Sequence, residues 1–317
     1  MRVTIMHNPS AGQGQVKKKD LIAACKLAGL SASYYSTKAE GWKKALRKRA
    51  DLVVVAGGDG TVSKIACQLV GRDVPLAIVP LGNANNIARS VGIAGTLHEL
   101  AESWIHGHKR SLDIGLAFGA WGSRKFVEAV GVGPLAYIIE NDSESDKKHG
   151  ADNLRQGRKE LRQAFKKAEA LDYRLELDGK AVAGRFVAIE VANIPYTGPG
   201  LELVPKSDPG DSVLNVVCVR AAERDKVVAW LEAPHEKRSP LHAKRGRKLS
   251  FRWQSGPLRI DDGVIPAPND PELVTVELAG TIKVIVPAKA NGGGKKGDTG
   301  RNSKSGKNGK NSAKTHG

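Results

Sequence analysis

The sequence predicts an α/β domain built on an open parallel sheet, followed by a mainly β-sandwich second domain. Three observations predict it. Strand-like and helical stretches alternate through the first third of the 317 residues, as in a parallel sheet with crossover helices. After about Asp113 the alternation gives way to short strands separated by turn residues, the pattern of a sandwich. Several early strands end in glycine-bearing turns, and the carboxyl ends of strands are where open α/β sheets bind ligands. The domains are read as 1–115 and 116–287, with a final strand able to return toward the first, and 288–317 as a disordered basic tail.

The elements follow in order. Val3–His7 is a strand and Val16–Ala28 a helix with a basic outer face. Ala32–Ser36 is a strand and Trp42–Arg49 a basic helix. Leu52–Val55 and Leu76–Val79 are β-branched or aliphatic strands; Asn86–Val91 and Leu97–Ile105 read as helices. In the second domain Lys125–Val130 and Arg174–Leu177 flank a long charged helix, Asn153–Ala170. Strands follow at Phe186–Ala192, Val213–Val219, Lys248–Trp253, Leu258–Ile260, Leu273–Leu278 and Thr281–Val286, with a short helix at Asp225–Leu231. From Lys289 the chain is Gly, Lys, Asn and Ser without apolar periodicity and cannot bury a core.

Composition narrows the function. The net charge of +17 predicts attraction to polyanions. The tail from Lys289 holds eight Lys/Arg and one Asp, so the rest of the chain is basic too. Cys25, Cys67 and Cys218 form no CxxC pair and read as buried thiols of a reducing compartment. No apolar run approaches the roughly 18 residues of a membrane span, and the N-terminus lacks a signal peptide's apolar core. A cytoplasmic protein is expected. The eight histidines make no zinc pattern, and no Gly-x-Ser-x-Gly elbow supports hydrolase chemistry.

The chemistry is carried by three turns. The strand at Val53–Val55 runs into Gly57-Gly58-Asp59-Gly60-Thr61-Val62-Ser63, with a helix read from Ser63. Glycines allow close backbone approach, and amides at a helix start can face phosphate oxygens. An acid inside such a turn makes sense with Mg²⁺ between it and the phosphates, so the turn reads as a nucleoside triphosphate site. The first strand ends in Asn8-Pro9-Ser10-Ala11-Gly12, which alone is equally an ordinary strand-to-helix turn. Pro80-Leu81-Gly82-Asn83-Ala84-Asn85 closes the fourth strand, where Asn83 or Asn85 can simply cap the next helix.

Together, Asn8-Pro9-x-Ala11-Gly12, Gly57-Gly58-Asp59-Gly60-Thr61 and Pro80-Leu81-Gly82-x-x-Asn85-x-x-Ala88-Arg89 resemble the diacylglycerol kinase catalytic family, which includes sphingosine and ceramide kinases. The second turn alone also resembles NAD kinases and phosphofructokinases, which share the related sheet; the Pro80–Arg89 segment separates the lipid kinases from both. The resemblance implies a nucleotide-binding α/β domain, a lipid-side sandwich and a cleft between them. It implies ATP contacts from Asn8, Pro9, Ser10, Ala11, Gly12, Thr37, Gly57, Gly58, Asp59, Gly60, Thr61, Val62, Ser63 and Asn83, with Asp59 helping to place Mg²⁺; Thr37 can equally cap the next helix. Asn193-x-x-Tyr196-x-Gly198-x-Gly200 and Pro205–Val216 resemble later landmarks. There the resemblance implies a structural Mg²⁺ on Asp208, Asp211 and the Val213 carbonyl, against a plain solvated turn.

The resemblance also implies an Asp-Gly-Glu turn whose acid takes the proton from the lipid hydroxyl. Here Asp262-Gly263 is kept and Val264 stands at the glutamate position, so Asp262, or Asp261 beside it, is the expected catalytic acid. Asn83 replaces threonine, Asn86 replaces aspartate, and Ser212 and Asn215 replace Gly and Asp. The expected function is an ATP-dependent lipid kinase acting on diacylglycerol or another lipid alcohol. The alternatives are a soluble-substrate kinase such as an NAD kinase and a non-catalytic pseudokinase. Basic runs such as Lys17-Lys18-Lys19, Trp42–Arg49, Arg158–Lys167 and Lys244–Lys248 are either solvated faces or a surface for an anionic membrane. No nucleic-acid motif accompanies them, and nothing in the sequence sets an oligomeric state.

Overall fold

The computed structural model describes residues 1–141 and 151–288. The tail reading for 288–317 lies, apart from residue 288, outside them. The parallel part of the sheet comprises β1 (Arg2–His7), β2 (Ser31–Ser36), β3 (Leu52–Gly57) and β4 (Leu76–Pro80), in the spatial order β4-β3-β1-β2. Burial accounts for the order. Every residue of β3 is buried, as an inner strand covered on both faces requires. β2 alternates between exposed and half-buried positions and forms the edge. Successive strand residues feed opposite cores. Val3, Ile5, Leu52 and Val54 meet Leu21, Cys25 and Trp104 on one face, while Met6, Val53 and Val55 meet Ile65, Ile87 and Leu100 on the other.

Two elements depart from the sequence reading. Helix Asp59–Ala66 starts directly behind β3, at Asp59 rather than Ser63, with Gly58 in extended conformation as its N-cap. A further strand, β5 (His108–Gly119), went unrecognised, because its first half is His-Lys-Arg-Ser and its second half carries two glycines. It pairs antiparallel with the last strand, Glu272–Val286. The two predicted strands at 273–278 and 281–286 are one bent strand, its ladder shifted between Leu278 and Gly280, a bulge of the kind that bends strands. Beyond the bend it pairs parallel with β4, Val284 facing Leu76.

The second region is mainly antiparallel. Phe126, Val130, Phe186, Ile189, Leu249, Phe251, Trp253, Leu258 and Val274 form one enclosed core, as facing sheet layers do. On the outer face, helices Pro134–Glu140, Ala151–Lys167 and Arg224–Trp230 cover a second core around Phe165, Val187, Val217 and Trp230. The predicted strand 125–130 is two, Gly122–Phe126 and Ala129–Val132. The backbone between them is diverted to a side chain, as described next. Among the described residues no helix is long and apolar enough to cross a membrane.

Candidate active site

The three glycine-bearing turns meet at the carboxyl ends of β1, β3 and β4. Asn8 Nδ2 donates to Thr61 Oγ1 at 3.3 Å, joining the first turn to the second. The Leu81 amide donates to the Gly57 carbonyl at 2.9 Å, joining the third to the second. The Gly58 and Gly82 backbones pack so closely that a Cβ on Gly82 would sit 2.7 Å from Gly58 Cα. The Asn8 carbonyl and side chain hold the Ala11 and Ser10 amides at 3.0 and 3.2 Å, closing the Asn8–Gly12 turn around Pro9. Thr37 bonds the His7 carbonyl through its amide, at 2.8 Å, and its hydroxyl, at 3.3 Å. It therefore closes the end of β1 beside Asn8 rather than capping the next helix, whose N-cap is Gly41. Asn83 is exposed in the third turn. Asn85, in left-handed conformation, fastens that turn by exchanging two 2.8 Å bonds with Gly82.

The side chains of Val62 and Ser63 turn away from the loops of this rim. Helix geometry turns both inward: Val62 joins the core, and Ser63 is buried with its hydroxyl donated to Asp261. Asp59 stays at the rim, its Oδ1 accepting the Ile87 amide at 2.9 Å and so holding the helix Asn86–Val91 against the turn.

From the second region comes the hairpin Leu258–Ile260 and Gly263–Ile265. Ile260 pairs with Gly263, so the turn itself is Asp261-Asp262. The two acids have opposite fates. Asp261, in left-handed conformation, is buried and accepts the Val127, Glu128 and Ala129 amides at 3.0, 2.7 and 3.3 Å, besides the Ser63 hydroxyl. This diversion breaks the strand at 127–128, and it removes Asp261 as a candidate base. Asp262 is exposed, with its carboxylate directly over Gly60 in the first turn of the nucleotide-side helix. Val264 is half-buried in the hairpin opposite Arg259.

Behind these acids lies a buried network that sequence reasoning missed. Arg259, fully buried, donates to Glu190 at 3.0 Å, Glu128 at 3.3 Å and the Asp261 carbonyl at 3.1 Å, and also to Thr197. Glu128 further accepts from Asn86 Nδ2, Thr197 Oγ1 and the Gly198 amide. Asn86, where the resemblance expects an acid, thus spends its amide group on tying the third turn to the sandwich. Arg89 adds to the tie by stacking on Tyr196, 4.1 Å from the ring centre.

Asp59 and Asp261 are both pushed up to about 6, chiefly by burial, with the Glu128 charge adding to each. An acid raised above its unfolded value stabilises the fold while protonated. That contribution is complete below about pH 4 and is lost as pH rises through about 6. Without nucleotide, the unfolding free energy of wild type relative to Asp59→Asn should therefore decline from pH 4 to 7 in urea titrations. A difference that does not change with pH contradicts this.

The turn expected to hold a structural metal carries two ion pairs. Asp208 pairs with Arg110 at 3.2 Å and Asp211 with Arg245. The Val213 amide donates to Asp211 Oδ1 at 3.1 Å. The Ser212 amide goes instead to the buried Asp113, at 2.7 Å. Each carboxylate thus has an arginine beside it on the protein surface. Among the described residues no group of three His, Cys, Asp or Glu could hold a metal.

Known proteins share these domains and this fold. Residues 2–117 match the diacylglycerol kinase catalytic domain, and residues 145–284 match the YegS C-terminal NAD kinase β sandwich-like domain. The chain belongs to the diacylglycerol kinase family. Diacylglycerol kinase of Bacillus subtilis (strain 168) is 26% identical over 231 residues, covering 70% of this chain and 74% of that protein. Diacylglycerol kinase of Mycobacterium tuberculosis (strain ATCC 25618 / H37Rv) is 26% identical over 236 residues, covering 72% and 76%. In fold, a diacylglycerol kinase from Bacillus anthracis str. Sterne superposes with a TM-score of 0.68 at 19% identity, over 90% of this chain and 96% of that one. Yeast NADH kinase complexed with NADH superposes at 0.54 and 9% identity, over 91% and 84%. The protein is a kinase, on an α/β sheet joined to a β-sandwich.

For a kinase of this family the Gly60 contact has a consequence. A methyl group there must displace the Asp262 carboxylate, the free end of an exposed side chain. Misplacing a reacting group by about 1 Å can lower turnover by roughly 10²-fold. Gly60→Ala should thus lose turnover while its melting temperature holds or rises, since Ala favours helix over Gly. Parallel activity and melting measurements check it.

Proposed function

We propose that the chain is an ATP-dependent lipid kinase that transfers the γ-phosphate to a lipid hydroxyl, diacylglycerol giving phosphatidic acid. The observation that carries this reading is the placement of Asp262, from the sandwich, over the first turn of the helix whose N-terminal loop, Gly57–Thr61, faces Asn8–Gly12. Phosphates belong on the glycine turn, where backbone amides and the helix start favour anions. The acceptor hydroxyl enters from the sandwich side. Asp262 receives its proton as the oxygen bonds to the γ-phosphorus and the bond to the β-phosphate oxygen breaks, releasing ADP. Positioning and charge neutralisation carry most of such a transfer.

The residues fit a divalent cation at Asp59. Glu128, Glu190, Asp113 and Asp261 are buried acids in this chain, and Arg259 is the one buried cation among the described residues. Burial chiefly raises Asp59, the Glu128 and Asp261 charges add to it, and a cation would offset that part. Bound Mg²⁺ would supply charge neutralisation at the phosphates. For an enzyme with no membrane span among its described residues, the basic helix faces offer adsorption to an anionic bilayer, each exposed Lys or Arg contributing on the order of 1 kcal/mol near such a surface.

Labelled ATP with mixed diacylglycerol micelles tests the reading. Wild type should label the lipid, and Asp59→Ala should not; equal incorporation by both rules out the mechanism. A second reading, nucleotide binding without turnover, draws on Val264 at the glutamate position and on Asn86 being committed to Glu128. ATP binding with no labelled lipid from any alcohol selects it. Label on a water-soluble acceptor instead selects an NAD-kinase-like activity.

A further inference from the structure

A second concave site lies away from the crevice, where the end of the Ala151–Lys167 helix meets strand Lys180–Ala192 and the turn before Arg224–Trp230. It is an open cavity of about 420 Å³ whose lining includes Lys167, Ala168, Glu169, Ala170, Arg185 and Arg224. Its charge is mainly positive: three cations against Glu169. None of the three makes an ion pair among the described residues. Arg185 donates one Nη2–H to the Ala170 carbonyl at 3.0 Å, and Arg224 donates one to the Ala168 carbonyl. Each guanidinium is thereby pinned while its other donors remain, and the Arg224 Nε–H is buried with no acceptor. Arg220 is not part of the lining; it stacks on Phe186, 5.5 Å from the ring centre. The Glu223 carboxylate is turned to the Arg220 amide.

Capping the end of a helix explains one bond from each arginine. It does not explain a hollow with three cations converging and a buried donor left over. Pinned guanidiniums match the planar, multi-oxygen geometry of phosphate. We propose that this cavity is a phosphate-binding site, distinct from the catalytic crevice, for a phosphate group that is free in solution or carried on an anionic lipid headgroup. Arg185 lies seven residues along its strand from Ala192, which adjoins the active-site end, a separation of roughly 20 Å. The site therefore recognises an effector or an anchoring headgroup rather than the reacting phosphates.

The test uses the full chain with its crevice saturated by a non-hydrolysable ATP analogue. Inorganic phosphate is titrated calorimetrically, and binding to phosphatidylcholine vesicles is measured with and without phosphatidic acid. Lys167→Gln/Arg185→Gln should weaken binding by at least about tenfold, whereas the charge-matched surface control Arg174→Gln/Lys180→Gln should change it by less than about twofold. Loss in the phosphate arm and the vesicle arm alike identifies the shared phosphate chemistry. Loss in the vesicle arm alone assigns the source to lipid, and loss in the phosphate arm alone assigns it to the free ion. Equal weakening by both double variants, or no binding of either probe by wild type, overturns the proposal. Arg185→Lys, which keeps the charge and loses the planar fork, should recover less than half of the lost affinity if the fork matters; full recovery reduces the site to general attraction and overturns it as well.

Discussion

Replacing Arg259 by Met should destabilise the protein by about 3–5 kcal/mol, the typical loss when one partner of a buried ion pair is removed. The side chain is fully buried and is held by two glutamates from different strands, Glu190 at 3.0 Å and Glu128 at 3.3 Å. Burial works against the arginine's charge, but the two glutamates outweigh it and hold its proton more tightly than usual. Glu190 is raised by burial even with the arginine present. In Arg259→Met both carboxylates lose their counter-charge, and Thr197 and the Asp261 carbonyl lose a donor. Urea unfolding of the variant should show the loss directly. Adding Glu190→Gln should return part of it, because the remaining charge is then removed. A double variant no more stable than Arg259→Met would mean that Glu190 is already neutral in the variant. A single variant within 1 kcal/mol of wild type would contradict the network's role.

This network also marks the boundary of what the sequence made legible. The parallel strands were readable because β-branched runs bounded by glycine turns have few other solutions. The three turns were readable as one site because a parallel sheet brings the carboxyl ends of its strands to one edge. The cluster was not, because Glu128, Glu190 and Arg259 come from distant parts of the chain and local pattern says nothing of their pairing. A signal did exist. Each is a lone charge inside an apolar strand-like run, Val127-Glu128-Ala129, Ile189-Glu190-Val191 and Leu258-Arg259-Ile260. Charges of opposite sign in such places are rarely buried unless paired. The helix start at Asp59 was hidden for a different reason: Asp-Gly-Thr has low helix propensity, and packing of Val62 and Ile65 onto the sheet overrides it. The strand break at 127–128 depended on a carboxylate far along the chain, at Asp261. The arginine partners of Asp208 and Asp211, Arg110 and Arg245, lie on other strands, so their pairing was likewise hidden from local pattern.

The adjacent acids of the hairpin turn should separate cleanly by experiment. Asp262→Asn should reduce turnover by about 10²–10⁴-fold, the usual contribution of a positioned general base, with its melting temperature close to wild type. The side chain is exposed, and the turn is fixed by its neighbour, so nothing structural depends on the charge. Asp261→Ala should do the reverse in origin. It leaves three backbone amides and the Ser63 hydroxyl without an acceptor in a buried place, and each unsatisfied buried group costs about 1–3 kcal/mol. Its activity should fall because the hairpin loses the anchor that aims Asp262, and a lower melting temperature should accompany the fall. Full turnover in Asp262→Asn would remove this residue as the proton acceptor, and with Val264 at the neighbouring position no acid of the hairpin would remain to serve. The order of the two acids thus divides the labour: the buried one ties Ser63 of the nucleotide-side helix to the sandwich, and that tie holds the exposed one over Gly60, where the proposed transfer needs its proton acceptor.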